Sequence, residues 1–142
     1  MTSLSVKFLD QGLHRVLFDA MPLPVFVVDE DVNILECNAA AALLLQQNEQ
    51  FGGVHRRGGD VLYCLHARET PEGCGRAPAC ADCQLREAVR IAADGRAVNR
   101  QWAEMELMQE GKPAKVSLRV SCQPFTYRKG SFVLLVLEGL NN

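Results

Sequence analysis

Four of the six cysteines of the chain lie within a stretch of about twenty residues, a density that unrelated thiols rarely reach by chance. They are Cys64, Cys74, Cys80 and Cys83, with the spacing Cys-x9-Cys-x5-Cys-x2-Cys. Thiolates are soft, strong metal ligands, and four of them complete a tetrahedral shell. The pattern predicts a four-cysteine centre. Ligand type alone leaves zinc and an iron–sulfur cluster both open, because four thiolates suit either.

The residues beside these cysteines are also suited to a small centre. Gly73 and Gly75 flank Cys74, and glycine permits the tight backbone bends that such a centre requires. Cys80 and Cys83 form the most specific element, since two cysteines separated by two residues bind one metal naturally at a turn or helix start. The amides at the start of the predicted following helix would stabilise thiolate charge.

His66 lies two residues after Cys64 and leaves several roles open. It is a candidate to replace one cysteine as a metal ligand, or to donate a hydrogen bond to a thiolate from outside the ligand shell. The alternative is an exposed loop histidine. The cysteines also have other interpretations, namely four thiols without a metal, or a redox-active dithiol of Cys80 and Cys83.

Several other residues are predicted to be structural. Cys37 and Cys122 fall on predicted strands among apolar neighbours, which indicates buried small side chains. Trp102 is predicted to belong to the core and not to a flavin site. Arg56 and Arg57 form a small basic pair in a polar loop, where solvation is expected.

The composition bounds the function. The chain has 142 residues, 48% of them hydrophobic, and a net charge of −2, which suits one domain and gives no electrostatic reason to expect nucleic acid or an anionic membrane as partner. No apolar run is long enough to span a bilayer, and no signal peptide is visible, so a cytoplasmic location is expected. In a reducing compartment, clustered cysteines favour metal or redox roles over disulfides. The sequence contains no nucleotide-binding glycine loop, no Ser-His-Asp arrangement and no paired-carboxylate pattern. It therefore offers none of these signatures of an enzyme.

Apolar periodicity predicts the order of elements. An N-terminal helical segment over residues 1–20, with its apolar period over 4–20, precedes a single domain over 21–142. That domain holds strands at 25–29 and 34–37, a helix at 39–47 capped by Asn38, a short apolar piece at 60–65, a helix at 85–93, and strands at 98–107, 114–123 and 131–138. Turns are predicted at 110–113 and 128–130.

This order resembles the PAS domain family of sensor modules. The matching segments are PLPVFVVDEDVNILECNAAAALLL at 22–45, the Gly-x-x-Leu step Gly59-Asp60-Val61-Leu62, and Leu137-Glu138-Gly139 after the last strand. The resemblance implies an α+β fold, a five-stranded antiparallel sheet in the order 2-1-5-4-3 with short helices on one face. PAS domains hold ligands between those helices and the sheet, which is where the cysteine-rich stretch 64–83 would lie.

The resemblance also implies a non-catalytic signal-sensing module of a bacterial-type signal transduction protein, whose effector lies outside this chain. Some PAS sensors carry iron–sulfur clusters, so the four cysteines are expected to sense redox state, oxygen or metal. A PAS module that binds a ligand or a protein and has a purely structural zinc is one alternative. A thiol oxidoreductase using Cys80 and Cys83 is another. The N-terminal helix is the expected contact of a homodimer and the expected output element.

Overall fold

The computed structural model describes residues 12–46, 57–62, 64–69 and 71–139. Within these ranges the helices are α1 (Leu13–Ala20), α2 (Ala39–Gln46), α3 (Gly58–Val61) and α4 (Gln84–Ala93), and 3-10 turns cover His66–Arg68 and Pro78–Asp82. The strands are β1 (Val25–Val28), β2 (Ile34–Cys37), β3 (Val98–Gln109), β4 (Lys112–Tyr127) and β5 (Gly130–Glu138). The predicted order of elements is confirmed; residues 4–11 of the N-terminal helix and 47–56 of the polar loop lie outside the described residues.

The five strands form one antiparallel sheet in the order β2-β1-β5-β4-β3. This is the α+β architecture and strand order that the PAS resemblance implies. The prediction of a four-residue turn at 110–113 is wrong, because Lys112 and Pro113 already pair with β3. Glu110 (φ 52°) and Gly111 (φ 78°) close the hairpin alone, and two residues of positive φ match the right-handed twist of the strands.

One face of the sheet carries the core. Alternate residues of β4 are buried as predicted, namely Val116, Leu118, Val120 and Cys122, and the apolar side of α4 packs against this face with Leu85, Ala88, Val89 and Ala92. Cys122 is 1% exposed, which confirms its role as a small core side chain. Cys37 is partly buried against the core, and β1 and β5 separate its strand from that of Cys122.

Asn38 joins the start of α2 to β1. Its Oδ1 accepts hydrogen bonds from the Ala41 and Val25 N–H groups, both at 3.0 Å, and its Nδ2 donates to the Leu23 carbonyl at 3.0 Å. The predicted capping role is confirmed. Asn38 is fully buried, so these hydrogen bonds also hold the start of α2 against β1.

No helix within the described ranges is long and apolar enough to cross a membrane.

Candidate functional site

Cys64 is held at the open edge of the sheet. It follows α3, its N–H donates to the Gly59 carbonyl at 2.9 Å, and it forms an isolated bridge with Leu107 of β3. The next residue, Leu65, donates its N–H to the Glu106 carbonyl at 2.8 Å. This short extension of the pairing places Cys64 beside the edge strand, where its side chain is buried.

Cys74 is buried in a tight bend between two glycines. Gly73 has φ 87° and Gly75 has φ 90°, which confirms that the bend needs residues tolerant of left-handed backbone. The Gly59 N–H donates to the Cys74 sulfur at 3.3 Å. A Cβ at Gly59 would lie 2.9 Å from that sulfur and 3.3 Å from the Cβ of Cys64, so glycine is needed for the two cysteines to approach.

Cys80 and Cys83 lie where the second 3-10 turn meets α4. The Cys83 N–H donates to the Cys80 carbonyl at 3.2 Å, and the Cys83 carbonyl accepts the first helical bond from Glu87 at 3.0 Å. Cys83 is therefore the N-cap residue of α4, as its position before the predicted helix suggests. Its side chain makes no capping hydrogen bond, so the expected contact of the helix amides with this thiol is not seen in the structure.

All four cysteines line one cavity of about 250 Å³ between α3, the start of α4 and β3. Its walls also include Ala67, Leu85 and Met105, so it is mainly apolar around the thiols. Across the described ranges, no three His, Cys, Asp or Glu side chains lie close enough together to hold a metal ion. The thiols surround a common space without converging on one point.

Burial sets the protonation of Cys64. Loss of hydration raises the pKa of its thiol, which backbone hydrogen bonds oppose, and the nearby thiols of Cys83 and Cys74 raise that pKa further. A bound cation would favour the thiolate form of Cys64, since metal binding displaces the thiol proton.

His66 also lines the cavity, but its ring nitrogens contact carboxylates. Nδ1 lies 3.1 Å from Glu69 and Nε2 lies 3.1 Å from Glu106. Each nitrogen is thereby directed at an oxygen and not at a sulfur. In the structure His66 contacts carboxylates at the rim of the cavity, an arrangement that the sequence does not predict.

An arginine cluster adjoins the cysteine cavity. Asp31, in the turn between β1 and β2, receives the guanidinium groups of Arg57 at 3.1 Å, Arg76 at 2.6 Å and Arg86 at 2.8 Å. The hydrogen bond from Arg76 lowers the pKa of Asp31 most, burial raises it, and the hydrogen bond from Arg86 lowers it again. The balance holds the pKa of Asp31 well below its usual range. The predicted solvation of Arg57 is wrong, because its side chain is only 12% exposed; Arg56 lies outside the described residues.

Arg86 connects this cluster to the cysteines. It is in the first turn of α4, and its Nη2 lies 3.1 Å from the Cys74 carbonyl and 3.6 Å from the Cys74 sulfur. Its buried Nε has no hydrogen-bond partner among the described residues. The sequence predicted no role for Arg86. The available signal was its position three residues after Cys83, one helical turn into α4.

A second cavity of about 360 Å³ lies between α4 and β3, next to the first. Cys83, Gln84, Glu87 and Trp102 are among its walls. The prediction that Trp102 belongs to the core is wrong, since it is 58% exposed and its ring lies 4.2 Å from the Arg119 guanidinium. Its neighbour Ala103 takes the buried position on β3 instead.

Three features of the cysteine cavity fit a metal centre in their chemistry. The four thiols are the donor set that zinc and iron–sulfur clusters prefer, and Gly59 leaves space that a Cβ would fill. The Nε–H of Arg86 is a third, because it is a buried donor awaiting an acceptor beside the cavity.

Comparison with known proteins supports the architecture. Residues 12–75 match the family model of the PAS domain. The PAS domain of nitrogen regulation protein NR(II) from Vibrio parahaemolyticus is similar in structure, with a TM-score of 0.57 and 17% identity, covering 89% of this chain and 97% of that one. The PAS domain of BvgS from Bordetella pertussis has a TM-score of 0.50 and 15% identity, covering 94% and 88%. No curated protein matches the chain. The described part of the chain has the PAS fold.

Proposed function

We propose that this PAS domain is a sensory module of a signal transduction protein, and that the cysteine cavity is its sensing site. One observation carries the proposal: four cysteines from separate segments of the helical side line a single cavity against the sheet. Thiols gathered in this way serve a soft metal or a redox change better than they serve packing, because a core needs no such concentration of sulfur.

The centre proposed is a metal ion or an iron–sulfur cluster held by Cys64, Cys74, Cys80 and Cys83. Cys64 donates its N–H to the Gly59 carbonyl, and the Cys74 sulfur accepts a hydrogen bond from the Gly59 N–H. Cys80 and Cys83 belong instead to the short turn before α4. Binding would draw the turn toward the buried pair. A cluster would supply a one-electron redox response, and zinc would supply a closed, redox-inert crosslink.

Redox, oxygen or metal availability is the signal we propose, since each changes the occupancy or charge of such a centre. α4 begins at the centre and packs on β3, β4 and β5, so a shift of the turn at Cys83 reaches the sheet directly. The effector that would read the change is proposed to lie outside this chain.

A second candidate is a ligand-binding module in which a zinc ion is structural. The observation in its favour is the cavity of about 360 Å³ beside Trp102, which shares Cys83 with the cysteine cavity and is lined by polar side chains such as Gln84 and Glu87. In that case the zinc would hold the wall of a separate ligand site.

We also propose that the N-terminal helix contacts a second copy of the chain. α1 exposes Val16 and Leu17 at 63% and 54%, and none of its residues is buried. An apolar helix face of this kind is stabilised by a partner. Leu17→Glu is expected to shift the chain toward monomer in sedimentation velocity, and an unchanged mass would remove α1 from the interface.

Metal and acid-labile sulfide analysis of anaerobically purified protein tests the main proposal. We expect iron with sulfide, or zinc without sulfide, and loss of most of that metal in Cys80→Ser. Cys37→Ser is the matched control, because Cys37 lies on β2 away from the cavity, and it should retain the metal. Metal-free wild-type protein, or equal metal in both variants, would contradict the proposal.

A further inference from the structure

We infer that Arg86 is the residue that couples the cysteine centre to the turn between β1 and β2, by donating hydrogen bonds to the centre while it holds Asp31. The inference rests on the proposed function and goes beyond it, because it assigns the route from the site to the sheet. It is drawn from the contacts of one guanidinium group with two segments that are distant in sequence.

On the cavity side, the contacts of Arg86 are with Cys74. Nη2 lies 3.1 Å from its carbonyl oxygen and 3.6 Å from its sulfur. Gly75 is required for this approach, since a Cβ there would overlap the guanidinium itself. Hydrogen bonds to cysteine sulfurs are one of the means by which proteins tune metal and cluster sites.

On the sheet side, the contacts of Arg86 are with Asp31. Nη1 lies 2.8 Å from the carboxylate and Nη2 lies 3.1 Å from the main-chain carbonyl. Val32, the next residue, is fully buried, and the turn leads directly into β1 and β2. A displacement of the guanidinium therefore acts on a turn that is packed into the core.

The charges around Arg86 fit an anionic neighbour. Three guanidinium groups face the single carboxylate of Asp31, so this arginine cluster itself carries excess positive charge. The carboxylates of Asp82, Glu104 and Glu106 also line the cavity, and Glu106 contacts His66, so the positive charge next to a centre would come from Arg86. A centre with four thiolates around a divalent ion is negative overall, so it would complete the set of partners for Arg86 and for its unpaired Nε–H.

The coupling follows because Arg86 contacts both the cysteine site and Asp31. Without a centre, Arg86 already contacts Asp31 and the Cys74 carbonyl. A negative centre would add an attraction at the Cys74 sulfur, which would draw the guanidinium toward the cavity and pull on Asp31. The position of the turn would then depend on whether the centre is present. Arg86 would carry this dependence, because it contacts both Cys74 and Asp31.

Zinc titration of the metal-free full chain tests the inference, with two readouts: affinity by chelator competition, and the backbone amide shifts of Val32 and Asn33 by NMR. We expect Arg86→Gln to weaken zinc binding by about 10–100-fold, as loss of partners outside the ligand shell typically does. We also expect it to abolish most of the zinc-dependent shift in the turn. Arg90→Gln is the control, since it makes the same charge change on the exposed side of α4.

The outcomes separate this inference from the proposed function. Wild-type protein that contains no metal as purified and binds no zinc would overturn both. Zinc binding and turn shifts in Arg86→Gln that match those of Arg90→Gln would overturn the role of Arg86 alone. Arg86→Lys decides the case if Arg86→Gln does not fold: the ammonium keeps the charge but lacks the planar fork, so the inference predicts a weakened turn response, and a wild-type response would overturn it.

Discussion

The guanidinium of Arg86 lies 2.8 Å from the carboxylate of Asp31, although the two residues are fifty-five positions apart in the sequence. The contact ties the first turn of the helix that follows the cysteines to the turn between the first two strands. It is the point at which the candidate sensing site meets the sheet, and the first prediction concerns its carboxylate partner.

Asp31→Asn is expected to lower the free energy of unfolding by about 2 kcal/mol at pH 7, because charge-assisted hydrogen bonds from arginines are lost. The pKa of Asp31 is lowered in the folded chain, so its stabilising effect is fully present above the unfolded pKa of about 4 and is lost as the pH falls toward the folded pKa. Urea unfolding of metal-free protein should therefore show a constant difference from pH 5 to 7 and a smaller one at pH 3. A difference that grows at pH 3 would reverse the assigned sign.

Asp94→Asn, which removes an exposed carboxylate, is the control and should cost about 0.5 kcal/mol or less.

Gly75→Ala should be more destabilising than Gly111→Ala. Both glycines have positive φ, at 90° and 78°, and alanine at either costs about 1–2 kcal/mol of backbone strain. Only at Gly75 would the added Cβ also overlap the Arg86 guanidinium, whereas nothing lies within 4 Å at Gly111. Thermal unfolding of the two variants measures the difference. Equal losses would mean that the guanidinium does not occupy that space.

Cys122→Val should reduce the loss of stability at alkaline pH. Burial raises the pKa of Cys122 to about 12, so between about pH 8.5 and 12 the unfolded chain releases this proton and the folded chain keeps it. Stability then falls with rising pH, by up to about 1.4 kcal/mol per pH unit from this group. Urea unfolding at pH 8 and 10 should show a decline about 2 kcal/mol larger in wild type than in the variant. Parallel declines would place Cys122 in contact with water.

Asn38→Ala is expected to cost about 3 kcal/mol, since it removes the cap of α2 and leaves the buried Val25 N–H without its acceptor. Asn33→Ala is the comparison, because Asn33 is only partly buried and lies within the local β1–β2 turn. It should cost about 1 kcal/mol. Chemical unfolding that ranks the two in the opposite order would contradict the role given to Asn38.

The fold could be predicted from the sequence because its signals are local. Alternation fixed the buried side of β4, the glycine at 111 marked a hairpin, and Asn38 before an alanine- and leucine-rich run marked the start of α2. The strand order came from the family resemblance and not from periodicity. Pairings between distant strands depend on which edges meet, which a single sequence does not encode locally.

The candidate site could be predicted only in its ligands. Cysteine spacing pointed to the residues that line the cavity, but nothing in the sequence indicates that Arg57, Arg76 and Arg86 converge on Asp31, because these contacts join separate segments. Trp102 is a large hydrophobic residue, which predicts a position in the core. On the edge strand the alternate position belongs to Ala103, so the indole lies outside, beside Arg119.

X-ray absorption at the edge of the metal present in the anaerobically purified protein tests the central claim most directly, because it counts the sulfur atoms around that metal. Cys64, Cys74, Cys80 and Cys83 as ligands predict a first shell of about four sulfurs at about 2.3 Å. It should change to a mixed sulfur and oxygen or nitrogen shell in Cys74→Ser. A first shell dominated by oxygen or nitrogen in the wild-type protein would contradict the assignment of these four cysteines to one centre.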